Sequence, residues 1–333
     1  MSIRKELTAQ NVLLGFQHVL VSNVWLDPVF VAGAIGLPIA LSSNMINAIF
    51  IVSGLVTLVQ ATRLVRLPVV QGPSAAFDAL MIAAGTAGML GAASSSILIA
   101  SLVFLLLCLT GVIERMRFLF SPMISGVVIF MVGVSLSGFT LSEFLGGAPG
   151  DKTFADPHIL TVSILTTAIV LVLSLLGKGL LNLTGEGKLR TRTPVIIAAV
   201  LLLILGFVPK AGALLSVIPS AVVGGIFLPA AASLIVTGLR ALRKVADDER
   251  RQTVIGMSLL LGIALPKALS GLTGGASVFL GNNIMVGVFS AIILNALFVA
   301  LPDLVAKHRA PASVDVPAAD PADGTGAAAY DER

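Results

Sequence analysis

The sequence predicts an all-α polytopic membrane protein with about ten transmembrane helices, and three observations carry that prediction. Of its 333 residues 56% are apolar and only 11% charged, against about 25% charged in soluble domains. Apolar runs of roughly the 20 residues that a helix needs to cross a bilayer recur along almost the whole chain. The basic residues gather in alternate connections between those runs, as the positive-inside rule requires.

Taken in order, the expected spans are 11–36, 44–62, 67–88, 95–113, 121–141, 159–177, 193–209, 213–238, 252–266 and 283–302. From an N-terminal stretch (1–10) bearing Arg4 and Lys5, the even-numbered connections carry Arg63 and Arg66, then Arg115 and Arg117. Lys178, Lys188, Arg190 and Arg192 follow, and after them Arg240, Arg243, Lys244, Arg250 and Arg251. The odd-numbered connections hold only Lys152, Lys210 and Lys267, and one of them is acidic (Glu143, Asp151, Asp156). Both termini are therefore expected on the cytoplasmic side of a cell (inner or plasma) membrane, with 146–156 outside. The first apolar segment runs well past the core of a signal peptide and lacks a small-residue cleavage site, which argues against cleavage. Residues 303–333 are expected to form a disordered cytoplasmic tail, because Ala, Pro, Asp and Gly there cannot offset the entropy of ordering.

Composition also excludes classes of function. The net charge of +4 comes from short loops, so no nucleic-acid partner is expected; lipid surrounds the spans instead. Cys108 is the single cysteine, which rules out an internal disulfide and a thiolate cluster. The chain contains no HExxH, GxSxG or GxxxxGK[ST] pattern. An enzyme, a cofactor and a bound metal are accordingly not expected. The glycines of SAVVGGIF and LTGGAS fit close helix packing and turns.

The stretch LPVVQGPSAAFDALMIAAGTAG at 67–88 stands apart, because Pro68, Gly72 and Pro73 interrupt it. Irregular backbone at membrane depth persists only where protein buries it or where it lines a cavity. A short extended piece (67–71) feeding a helix from about Ser74 would aim free N–H groups and a positive dipole end at a polar solute. Discontinuous helices of this kind mark substrate sites in transporters. The ionisable residues inside expected spans are His18, Asp27 and Asp78, each a functional candidate because a charge there is costly. Helical spacing places His18, Ser22 and Trp25 on one face and Asn23 with Asp27 on another. Asp27, followed by Pro28, reads either as a functional acid or as a break near the outer water interface. Asp78 reads as the acid one turn into the helix after the break, beside Phe77.

The ordered set of motifs resembles the nucleobase–ascorbate transporter family, also called nucleobase:cation symporter-2. GFQHVL at 15–20 is similar to the family's Gln-His start, and QGPSAAF at 71–77 resembles its Gly-Ser-Ser-Phe-Ala-Phe segment in the third span. SPMISGVVIFMVGVSL at 121–136 resembles the fifth span, and GFVPKAGALLSVIPSAVVGG at 206–225 resembles the run that follows the eleventh. TGLRALRKVADDERRQ and IILNALF also fit, so the resemblance covers nearly all of 10–302.

The resemblance implies fourteen spans in two inverted repeats of seven, split between a core and a gate. This chain is then an incomplete version. The family's substrate-binding acid in its eighth span and its signature segment in the tenth have no counterpart. TPVIIAAV resembles span seven and runs directly into LLLILGFVP, which resembles the end of span eleven. Spans 8–10 and parts of 7 and 11 are absent, leaving a hybrid span at 193–209. Residues 11–116 correspond to a core-like region and 117–302 to a gate-like region.

By the same resemblance the chain is a nucleobase permease for a purine or pyrimidine such as xanthine, uric acid or uracil, coupled to protons and impaired by its missing half-core. The family's first-span His and second Phe fall on His18 and Phe77, and the expected substrate contacts are His18, Trp25, Ser74, Ala75, Ala76 and Phe77. Asp78 has no counterpart in the family and is the only nearby acid available for proton coupling. Ala75 stands where the family has a substrate-contacting aromatic, and Trp25 could replace that ring. The competing expectation is a folded, non-transporting relic or a subunit for another chain, and a homodimer is one such assembly. An anion permease of the same architecture would need a basic site residue that the spans lack.

Overall fold

The computed structural model describes residues 8–116, 121–176, 192–245, 248–269 and 279–302. These are helical, with no strand among the described residues. The helices, numbered here in order, are α1 (Ala9–Val21), α2 (Asn23–Ala34), α3 (Ile39–Thr62), α4 (Asp78–Thr86), α5 (Leu90–Leu109) and α6 (Val112–Arg115). They continue as α7 (Pro122–Leu145), α8 (Pro157–Leu176), α9 (Thr193–Gly206), α10 (Pro209–Ser216), α11 (Ser220–Leu242), α12 (Glu249–Ala268) and α13 (Asn283–Asn295), the last extended by a π turn, Ala296–Ala300.

Against the ten spans expected, seven helices among the described residues are long and apolar enough to cross a membrane, or eight if one bent pair counts as a span. The differences have local causes. The 11–36 run is still one apolar span, Ala9–Ala34, although Ser22 takes an extended conformation (ψ 146°) between α1 and α2. The 67–88 run yields only the nine residues of α4, too few to span on their own. The hybrid 193–209 stretch ends as a helix at Gly206, and α10 leaves it at 88°, since Pro209 cannot continue the helical hydrogen-bond ladder. The expected span 213–238 therefore begins later, at Ser220, one residue after Pro219. The 252–266 run is a helix of 20 residues, yet Glu249, Arg250, Arg251 and Lys267 make it more polar than the others. Residues 303–333 and the LTGGAS glycines lie outside the described residues.

The bundle packs most closely where α7 meets α11, with α8 against α11 and α12 against α13. Small residues make that approach possible. A Cβ at Gly224 would lie 2.5 Å from the Phe144 nitrogen, and one at Gly133 would lie 3.0 Å from the Ala231 carbonyl. The SAVVGGIF glycines thus serve helix contact, as the sequence predicts. A second nucleus joins α1, α3, α9 and α10. The two nuclei meet through α2, whose Phe30 stacks on Phe227 of α11 with ring centroids 4.1 Å apart. By contrast, α5 is almost bare: among its residues only Ala93 is buried.

Candidate functional site

The broken stretch is held by polar side chains of α3. The Gln71 N–H donates to the Thr57 hydroxyl at 2.8 Å, and that hydroxyl donates to the Gln71 carbonyl at 3.4 Å. The Gln60 amide donates to the Leu67 carbonyl at 3.4 Å. Both α3 side chains are buried, so two apolar-span polar residues that sequence reasoning passed over are the clamp for the irregular backbone. Their signal was available as Thr57 and Gln60 at helical spacing on one face. At Leu67 and Gln71 the freed backbone groups of this stretch thus find protein partners.

Beyond the clamp the chain turns into α4. The helix begins at Asp78 rather than near Ser74, because residues 75–77 form a turn closed by the Phe77 N–H on the Ser74 carbonyl at 2.9 Å. The N–H groups of Ser74, Ala75 and Ala76 have no acceptor among the described residues. Ser74 is exposed, Ala75 and Ala76 are half-buried against the main core, and the Phe77 ring is 49% exposed. Free N–H donors, an exposed hydroxyl and a part-exposed ring thus follow one another just before the helix start.

The expected His18–Ser22–Trp25 face does not form, since the break at Ser22 resets the helical phase between α1 and α2. His18 lies half-buried in the last turn of α1, and its carbonyl accepts the Ser22 N–H at 2.9 Å. α1 packs chiefly on α9. The Trp25 indole N–H is already engaged by the Leu20 carbonyl at 2.8 Å, which folds the ring back across the break.

Asp78 is 4% exposed, as suits an intramembrane acid, but it is not the sole nearby acid as the sequence reading held. Asp27 is 1% exposed and lies within electrostatic reach of Asp78. Asp27 is therefore not at a water interface: Pro28 sits inside α2 without ending it, and the helix carries its acid into the core. A separate cavity of about 100 Å³ lies toward the far end of α2, lined among others by Gly33, Ser42, Ser216 and Glu143. The Glu143 carboxylate there accepts from the Ser220 hydroxyl. This cavity is remote in sequence from the clamp and contains none of the site residues expected from the sequence.

Among the described residues no group of three or more His, Cys, Asp or Glu side chains gathers to hold a metal.

A profile described as the Permease family matches residues 9–185 and 179–271. The uric acid permease PucK of Bacillus subtilis is 35% identical over 115 residues, covering 33% of this chain and 27% of that protein. The uric acid transporter UacT of Escherichia coli is 28% identical over 181 residues, covering 51% of this chain and 37% of that one. The xanthine permease XanP of E. coli is 29% identical over 180 residues, covering 50% and 39%. The chain thus matches well under half the length of these curated relatives, which are permeases and not enzymes. With the family profile matching most of its length, the chain belongs to the permease family of nucleobase–ascorbate transporters, as a partial version of it.

Proposed function

We propose that this chain binds a nucleobase and belongs to proton-coupled nucleobase transport, with a face at Ser74–Phe77 as its half-site. The observation that carries the reading is the clamped, irregular stretch whose unbonded N–H groups at Ser74, Ala75 and Ala76 precede α4. A flat heterocycle would accept from those N–H groups and lie against Phe77, with His18 and Trp25 closing the site from α1 and α2. Asp78 would take the coupling proton. The relatives' names point to xanthine or uric acid as the substrate class, and the motif resemblance adds uracil as the pyrimidine alternative.

We read 11–116 as core-like and 117–302 as gate-like, in ten crossings of a cell membrane with both termini cytoplasmic. Alternating access in inverted-repeat transporters needs a half-site from each repeat, and this chain offers one. It should therefore bind nucleobase but transport it poorly alone. A subunit role is the second reading, favoured by the bare surface of α5, and a homodimer is one form of it.

The experiment uses the purified chain in liposomes with labelled xanthine, uric acid and uracil and an imposed proton gradient. Saturable binding without accumulation is expected. Robust uptake would overturn the half-site argument, and absence of binding to all three would overturn the nucleobase assignment. Asp78→Asn should abolish binding while leaving membrane insertion intact.

A further inference from the structure

Two acids are buried together where the first apolar run meets the broken stretch. α2 and residues 72–85 run in the same direction against one another, since Gly72 abuts Val24 and Gly85 abuts Ile35. Asp27 and Asp78 fall between those two contacts. Both carboxyl oxygens of Asp27 and Oδ2 of Asp78 lack any hydrogen-bond partner. The elements packed on α2 and α4 bring few charged or titratable groups: none on α3, Lys210 on α10, Arg240 on α11, Glu143 on α7 and Cys108 on α5, with His18 on α1 next in the chain. Asp78 lies within electrostatic reach of Asp27.

Two ionised carboxylates in this place would each suffer a desolvation penalty of several kcal/mol, and their repulsion would go almost unscreened. A cation is a poor remedy. A divalent ion takes about six or more oxygen ligands, and no cluster of three candidate ligand side chains exists among the described residues. A proton suffices, because it removes one charge and gives the remaining carboxylate an O–H donor in a short, charge-assisted bond.

We propose that Asp27 and Asp78 form one proton-binding site, a single proton held between two carboxyls as a unit. Uptake takes the pair from two negative charges to one by forming one O–H bond, with no other bond changed. Such a pair titrates jointly and not as two independent acids. The inference deepens the reading of Asp78 as the coupling acid, and it rests on that reading only for the step in which the proton moves with substrate. It assigns Asp27 a direct share in holding the proton.

The test uses the full chain in nanodiscs and dicyclohexylcarbodiimide, which modifies protonated carboxyls in apolar surroundings, with adducts located by peptide mass spectrometry. At neutral pH the wild-type chain should carry one adduct, on the peptide of Asp27 or of Asp78. Asp27→Asn and Asp78→Asn should each cut labelling of the remaining acid several-fold, because an amide donor stabilises the carboxylate where the shared proton was. Labelling of either acid that ignores substitution of the other would overturn the shared site. Protection by Na⁺ but not by K⁺ at fixed pH would overturn it in favour of a cation site. A second measurement needs no variant. The infrared carbonyl band of a protonated carboxyl should be present in the unmodified chain at neutral pH and shift on deuterium exchange, and its absence would also overturn the proposal. None of these readouts depends on nucleobase binding, so the two readings fail separately.

Discussion

The α7–α11 pair and helix α5 are all strongly apolar, yet the pair is packed on itself and α5 is nearly naked. In α7–α11 glycines bring backbones into contact and bulky residues fill the seam, so van der Waals packing does the stabilising that hydrophobicity cannot supply between helices in lipid. The chain between α3 and α5 is attached in both ways: Thr57 and Gln60 grip the extended stretch, Ile82 of α4 is buried in the main core, Gly85 lets Ile35 approach, and α5 follows with little cover. The difference teaches that apolarity places a helix in a bilayer but says little about its neighbours. Shape and hydrogen bonding decide those.

That contrast can be broken or sharpened by substitution, read as unfolding of the purified chain in detergent. The largest loss is expected for Phe227→Ala, which removes a fully buried ring stacked on Phe30. About 3 kcal/mol is expected, the low end for a buried Phe, because lipid tails solvate an exposed ring nearly as well as the core does. Gly224→Leu should follow at about 1–3 kcal/mol, the usual cost of overpacking, with the damage confined to α7–α11. A melting temperature unchanged by this variant would show that the pair is not closely packed.

Thr57→Val tests the polar attachment. It deletes both bonds to Gln71 and leaves a part-buried backbone N–H unsatisfied, which costs about 1 kcal/mol, the low end for such a group. The loss should be local, seen as faster proteolysis or hydrogen exchange within 67–77. Global unfolding with no local opening would contradict the clamp. The smallest effect is expected on α5, where Leu102 is 59% exposed. Leu102→Ala should leave the melting curve unchanged in the isolated chain, and a clear destabilisation would show that α5 is already covered by a partner copy.

Orientation sharpens the comparison from the sequence side. Arg243→Cys, at the end of α11, should resist membrane-impermeant thiol reagents added to intact cells, whereas Asp151→Cys should react. The reverse pattern would invert the assignment drawn from the basic connections.

Much was legible in the chain itself. Helical class, the apolar runs, the break at 67–77, the packing role of the SAVVGGIF glycines and the family were all readable, because membrane solvation imposes length, polarity and charge rules on local sequence. Helix ends were less so. Ser22 breaks the first run without a proline or glycine of its own, and α4 starts four residues later than its free N–H groups suggested, because a turn competes for them. Tertiary structure alone decided what Asp27 is. In sequence, Asp27–Pro28 is as compatible with an edge as with a core, since an acid's cost depends on what surrounds it. Only the side-by-side run of α2 against residues 72–85 brings it to Asp78, 51 positions away. The same holds for Thr57 and Gln60, whose partners lie across a turn that no helical periodicity encodes.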